Sequence, residues 1–269
     1  MKILIDWCHT QFSNYGKVFR IASFEKKAAH QSHFLGLFWE FLSPTIQIVI
    51  YYLIFGMRLG GRQMMESGVP YIFWMFIGVI PWFYMSASIN TGVNSISSNL
   101  NLISKTKFPV EILPTMSVVR GLNGFFTMMG LFLCLYIGTG HFPDVYWVQL
   151  IYYFFAMILL MVALATLNSV ISLIFRDYQL IVSSTMRLLF FVSGAVINIS
   201  THPESLMTKL FMLNPIVYIV EGFRDALLSR AWMFDHIWWS IYFFGVTLLI
   251  LLAGVYMTNK YKNYFVEYS

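Results

Sequence analysis

Three ionisable side chains stand inside stretches otherwise composed for hydrocarbon: Glu40, Arg120 and Arg187. Charge at such depth is costly, so residues of this kind pair with one another, line a wet path or meet a charged substrate group. With a rise of ~1.5 Å per helical residue, all three fall roughly 5–12 Å from one membrane surface. Opposite charges at one depth make Glu40 and Arg187 a candidate ion pair, since pairing lowers the cost of each. Direct contact of Arg187 with an anionic substrate group is the other reading.

No catalytic constellation accompanies these charges. The chain carries no G-x-x-x-x-G-K-[ST] phosphate loop, no H-E-x-x-H and no Cys/His cluster at metal spacing. His30 and His33 lie one helical turn apart but lack a third ligand, so no catalytic residue and no metal site is expected. Cys8 and Cys134 are far apart and read as ordinary thiols. Without an ATP site, active transport by this chain needs a motor on another chain or an ion gradient. Ion-coupled carriers place carboxylates at mid-membrane, and no Asp or Glu falls at the centre of a predicted span.

The elements that must position these residues follow from composition. Of 269 residues, 58% are hydrophobic, 19% aromatic and 11% charged, whereas soluble domains average about 25% charged. Repeated runs of roughly 20 apolar residues match the ~30 Å hydrocarbon thickness, which makes this an all-α polytopic membrane protein. Spans are predicted at about 37–56, 70–91, 112–138, 148–174, 181–199 and 237–258. The third and fourth exceed a straight crossing, so tilt is expected. The whole chain, 1–269, reads as one domain: a polar head over 1–33 and a six-span bundle over 34–269.

In the head, Tyr15, Val18, Phe19, Ala22, Ala29 and His33 share one helical face, and Lys17, Arg20, Lys27 and Gln31 lie opposite. That pattern predicts a basic amphipathic helix in the membrane interface, with Lys26 intruding on the apolar arc. The head has no apolar segment of secretory length, so insertion through the first span without processing is expected. Between the last two spans, SLMTKLFMLNPIVYIVEGFRDALL is broken by Asn214-Pro215. Proline lacks an amide donor and clashes with the preceding turn, so two short helices dipping in and returning on one side, about 204–228, fit better than a crossing.

Lys/Arg bias sets the orientation. With both termini inside, inner segments hold Lys2, Lys17, Arg20, Lys26, Lys27, Lys105, Lys107, Arg176, Lys260 and Lys262, against Arg58, Arg62, Lys209, Arg224 and Arg230 outside. The formal charge of +5 is explained by these loops and calls for no nucleic-acid partner. The inner loops at Asn101–Pro114 and Phe175–Tyr178 read either as ordinary basic turns or as docking contacts for a cytoplasmic partner. Abundant aromatics form interfacial belts or line a passage suited to sugar faces.

In order along the chain stand Phe34-Leu-Gly-Leu-Phe-Trp39, Leu42-Ser-Pro44, Val69-Pro-Tyr71 and Gly78-Val-Ile-Pro-Trp82. Phe108-Pro-x-x-Ile-Leu-Pro114, Arg176-Asp177 and Asn214-Pro215 through Glu221-Gly-Phe-Arg-Asp225 follow. With these landmarks the sequence resembles the membrane subunits of ABC exporters of the ABC-2 (type V exporter) class, particularly those for lipid-linked polysaccharides. His30-Gln-Ser-His-Phe-Leu-Gly36, Tyr218-Ile-Val-Glu-Gly222 and Tyr261-Lys-Asn-Tyr-Phe-Val-Glu-Tyr268 are most similar to the wall teichoic acid exporter permeases. O-antigen and capsule permeases share the broader landmarks.

The resemblance implies a multi-pass plasma-membrane subunit working as a homodimer with two copies of a separate ABC ATPase of the teichoic acid exporter type, which binds ATP and Mg. It implies no cofactor in this chain, membrane lipid as surroundings, and a lipid-linked anionic glycopolymer as cargo. The interface helix with Lys27, the loop at Lys105, Lys107, Phe108 and Pro109, and the turn at Arg176 and Asp177 become candidate ATPase-coupling contacts. Phe38, Phe41, Tyr51, Met186, Phe190 and Phe191 become candidates for the substrate path. Arg20, Lys26, Lys27 and Arg187 become candidates for receiving the diphosphate.

Overall fold

The computed structural model describes residues 2–31, 36–51, 53–54, 69–99, 108–175, 177–197 and 206–262, and every element among them is helical. In chain order these are α1 (Lys2–Ser13), α2 (Tyr15–Gln31), α3 (Trp39–Tyr51), α4 (Tyr71–Val93), α5 (Leu113–Arg120) and α6 (Leu122–Gly138). They continue with α7 (Gln149–Ile174), α8 (Tyr178–Val192), α9 (Leu206–Met212), α10 (Pro215–Leu227) and α11 (Ile237–Tyr261). Short 3-10 turns, Val110–Ile112 and Val145–Val148, lead into α5 and α7.

Among the described residues, four stretches are long and apolar enough to cross a membrane: Tyr71–Val93, Val110–Gly138, Val145–Ile174 and Ile237–Tyr261. They coincide with the second, third, fourth and sixth predicted spans. At the other two positions stand shorter helices, α3 with 13 residues and α8 with 15. The long third stretch is not continuous. Gly121 separates α5 from α6.

The core forms where α4 and α7 meet, joined by α10 and one face of α8. Trp74, Met75, Ile77 and Met85 of α4 and Met157, Leu160 and Met161 of α7 are sealed from the surface. Lipid offers no hydrophobic drive between helices, so close approach at small residues matters more than apolarity. A Cβ on Gly92 would lie 2.7 Å from the Ala165 Cβ, and one on Gly254 would lie 2.8 Å from the Leu167 amide nitrogen. Those glycines set the α4–α7 and α11–α7 spacings. Polar pairs add direction: the Tyr178 hydroxyl donates to Asn168 Oδ1 at 2.8 Å and the Ser183 hydroxyl to Asn90 Oδ1 at 3.0 Å.

The head differs from the expected single helix. It is two helices hinged at Asn14, whose side-chain amide donates to the Thr10 carbonyl at 2.9 Å. The expected apolar face of α2 divides as well. Val18 and Ala22 are buried, while Tyr15 and Phe19 are exposed. The small and β-branched side chains let α2 approach α5 closely, and the aromatic rings turn outward, as an interfacial helix requires. His33 lies outside the described residues.

The Asn214-Pro215 break falls where expected. Asn214 Oδ1 accepts from the Ile216 amide at 3.0 Å, and Pro215 occupies the first turn, where its missing donor costs nothing. The helix it starts, α10, is not a surface element: Ile216 to Phe223 are buried between α4 and α7.

Gly222 is the tightest of these packing points, because a Cβ there would overlap the Tyr153 ring. Gly222→Val should lower the thermal unfolding midpoint of the detergent-solubilised protein, by the ~1–3 kcal/mol typical of overpacking. Gly130→Ala, where nothing stands within 4 Å, should leave it unchanged. Equal midpoints for the two variants would count against this seam.

Candidate functional site

The end of the bundle that carries α1, α2 and the start of α5 is held by a small apolar core of its own. Val18 and Ala22 of α2 pack with Ile96, Val110, Ile112, Leu113, Met116 and Val170. Phe108, one of the expected motor contacts, is partly buried against this cluster, and Pro109 caps the turn that follows it. A helix that presents Lys17 and Arg20 to solvent is thus fixed to the root of α5 by its opposite side. The Arg20 guanidinium sits 6.0 Å from the Phe24 ring centre.

Glu111 draws three parts of the chain to one point. Its carbonyl accepts from the Gln11 side-chain amide at 2.6 Å, and its carboxylate pairs with Lys262 Nζ at 2.5 Å. The N-terminal helix, the Phe108–Glu111 turn and the end of α11 therefore meet. Lys262 is half exposed, so the pair contributes at most about 1 kcal/mol, and its value is geometric. Leu4 and Trp7 of α1 reinforce the contact by packing against Leu251 and Val255 of α11.

Of the remaining expected motor contacts, Asp177 is exposed immediately before α8. Lys105, Lys107 and Arg176 lie outside the described residues, as do the side chains of Lys26 and Lys27. Glu40, Phe41 and Tyr51 stand on α3, but their side chains are outside the description too, so the geometry of the Glu40–Arg187 pair is not given. Arg187 is exposed on α8 and donates to the Ser184 hydroxyl at 3.2 Å.

Within α8 the path candidates part. Met186 and Phe190 turn into the core, Phe190 against Trp82 at 5.8 Å, while Phe191 faces outward. Phe38 is exposed at the start of α3. The third charge within the predicted spans is Arg120. It ends α5 and lines a cleft of about 340 Å³ with Gln47 of α3 and Phe83, Phe125 and Met128 of α4 and α6.

The strongest charge cluster was not anticipated. Arg224 of α10, counted from sequence among the outer cations and within the Glu221–Asp225 landmark, is completely buried. Its guanidinium pairs with Glu221 Oε1 at 2.6 Å, donates to the Ala195 carbonyl at 2.9 Å and the Trp74 carbonyl at 3.4 Å, and lies 3.4 Å from the centre of the Trp74 ring. Gly78 makes this possible, since a Cβ there would come within 2.5 Å of the guanidinium. Glu221 also faces Arg230 at 3.9 Å. The only local signal was the three-residue spacing of Glu221 and Arg224 within a helix. Carbonyl partners 150 and 29 residues upstream leave no local trace.

Among the described residues, no three His, Cys, Asp or Glu side chains come together to hold a metal ion. Chemically this arrangement binds, positions and transmits. Long apolar helices packed through glycine seams, with a basic helix fixed along one end, have the make-up of a membrane-embedded bundle.

The chain belongs to the ABC-2 type transporter family, whose model matches residues 18–228. It is 31% identical over 211 residues to an O-antigen export system permease of Myxococcus xanthus, covering 78% of this chain and 79% of that one. It is 25% identical over 258 residues to an O-antigen export system permease of Klebsiella pneumoniae, 92% of each. The polysialic acid transport protein of Escherichia coli is 24% identical over 195 residues, 72% of this chain and 74% of that one.

Removing one partner of a buried ion pair leaves the other uncompensated, at about 3–5 kcal/mol. Glu221→Gln and Arg224→Met should each cut the yield of monodisperse protein and lower its unfolding midpoint. The double variant should recover much of the loss. Additive effects in this double-mutant cycle would show that the two side chains act separately.

Proposed function

We propose that this chain is the membrane subunit of an ATP-driven exporter that moves a lipid-linked polysaccharide from the cytoplasmic to the outer face of the plasma membrane. A second copy of the chain would complete the passage, and two copies of a separate ABC ATPase would bind ATP and Mg and supply force. The reading is supported by family membership together with relatives whose names specify O-antigen and polysialic acid export. The single observation that carries it is the fixing of basic α2 to the root of α5 beside Phe108 and Pro109. A motor has to reach the bundle somewhere, and this is a place where a surface contact connects directly to packed helices.

In this reading both termini are cytoplasmic, α3 and α8 belong to the first and fifth of six spans, and α9 and α10 form the re-entrant pair near the exit. The diphosphate of the carrier lipid cannot enter hydrocarbon without a partner charge. Arg20, Lys26, Lys27 and Arg187 are assigned to receive it at the inner leaflet. Phe38, Phe41, Tyr51 and Phe191 are assigned to the passage between the two copies. Met186 and Phe190 pack in the core beside it and would shape the passage from behind.

Two polymers are in contention. The His30–Gly36 and Tyr261–Tyr268 segments favour wall teichoic acid, an anionic glycopolymer, and the named relatives favour an O-antigen type of polysaccharide. Depletion of the permease should strip one polymer from the cell surface and leave its lipid-linked form inside. The phosphate content of that trapped polymer separates the two readings. An unchanged surface polymer would end both.

Phe108→Asp, placed in the partly buried contact, should reduce co-purification of the ATPase severalfold while the permease still runs as a monodisperse species. Arg187→Ala should leave ATPase association intact and reduce the stimulation of ATP hydrolysis by lipid-linked polymer in reconstituted vesicles. Unchanged stimulation would remove Arg187 from the diphosphate site, and undiminished ATPase yield would remove Phe108 from the docking surface.

A further inference from the structure

Apolar side chains stand on every side of α8. Val182, Met186 and Phe190 are buried, whereas Leu180, Ile181, Leu188 and Phe191 are exposed. In a bilayer no hydrophobic drive lies behind that contrast, because lipid tails solvate an outward Leu as well as a protein core does. Apolar packing alone therefore discriminates weakly between rotations of this helix about its own axis. Polar contacts have to choose which face turns inward.

Two hydrogen bonds to neighbouring helices make that choice. The Tyr178 hydroxyl donates to Asn168 Oδ1 of α7 at 2.8 Å, and the Ser183 hydroxyl donates to Asn90 Oδ1 of α4 at 3.0 Å. Both acceptors are held in place. Asn168 is buried, and the Asn90 side-chain amide donates to the Ser86 carbonyl of its own helix at 2.8 Å, which leaves Oδ1 for α8. At ~100° per residue, counted from Tyr178, Val182, Met186 and Phe190 fall at about 40°, 80° and 120°, and Ser183 at about 140°. The two bonds thus stand at the two edges of the buried arc. Arg187, exposed, follows at about 180° and Phe191 at about 220°. A turn of ~40° in one sense would carry the Arg187 guanidinium to the packed edge of α8, and the same turn in the other sense would withdraw Tyr178.

We propose that Tyr178 and Ser183, with Asn168 and Asn90 as their acceptors, are positioning residues that fix the rotation of α8 and so hold Arg187 on its free face. These four side chains act on cargo only through Arg187. The proposal rests on the reading of Arg187 as a diphosphate contact, and adds the means by which that charge is kept out of the core and presented.

The test uses the full-length permease in nanodiscs and begins with the rotation itself. Cys8 and Cys134, the two cysteines of the chain, are replaced by serine, and a nitroxide is attached at Ile181 or at Phe191, toward opposite edges of the free arc. Oxygen accessibility then reads the exposure of each position without polymer or ATP. Tyr178→Phe combined with Ser183→Ala should shift the two accessibilities in opposite directions. Ser183→Thr, which keeps a hydroxyl, should preserve the original ratio. The Kd for added polyprenyl diphosphate should rise about fivefold in the double variant, the scale of two hydrogen bonds between membrane helices. In an Arg187→Ala background the same two substitutions should add nothing. An unchanged accessibility ratio would overturn the proposal. So would an equal loss of binding with and without Arg187, which marks a general structural defect. If Arg187→Ala alone leaves binding unchanged, the diphosphate reading falls, and the nitroxide ratio still decides whether these bonds set the rotation.

Discussion

A charge withdrawn from water must be solvated by the protein, and the guanidinium of Arg224 shows how much architecture that consumes. Its partners come from α10 itself, from the first turn of α4 and from the segment after α8. Each partner is a fixed carbonyl, carboxylate or ring face, so these elements hold one arrangement about it. Gly78 is glycine because the guanidinium occupies the space of a side chain. The buried pair is a weak source of net stability, since desolvation cancels most of its attraction. What specifies where α10 sits is the guanidinium's contact with the Trp74 ring and with the Trp74 and Ala195 carbonyls.

The same constraint explains what could be read from the sequence. Backbone groups in hydrocarbon must be satisfied within their own helix, so long apolar runs announce α4, α7 and α11 unaided. Asn214-Pro215 announces a helix start because capping is local. Contacts between distant residues are silent: nothing near Gly222 foretells the Tyr153 ring, and nothing near Arg224 foretells Trp74. The division of the α2 face was equally hidden. Tyr15, Val18, Phe19 and Ala22 share an arc, and side-chain size decides which of them meet α5. Of the candidate site, Phe108 and Pro109 were legible as a Pro-punctuated loop, whereas Glu111 was not, because its partners are Gln11 and Lys262.

α10 also revises how the block after α8 is understood. Its amphipathic pattern resembles that of a helix resting on a surface, yet its apolar face is inserted between α4 and α7. Tyr218 links α7 to α11 by hydrogen bonds of 2.8 Å to Tyr152 and to Ser240. Arg224 ties α10 to the Trp74 and Ala195 carbonyls and Tyr218 ties it to α7 and α11, so α10 is not an independent flap. Movement at this end of the molecule has to carry α4, α7 and α10 together.

The mechanical consequence lies at the opposite end. The resemblance makes α2 a candidate ATPase-coupling contact. Packing gives it a load: Val18 and Ala22 rest on Leu113 and Met116, and the same cluster includes Val170 of α7. Glu111 adds α1 and α11 through Gln11 and Lys262. A push delivered to α2 is therefore divided between α3 and the roots of α5, α7 and α11. Interiors packed through glycine seams transmit displacement instead of absorbing it.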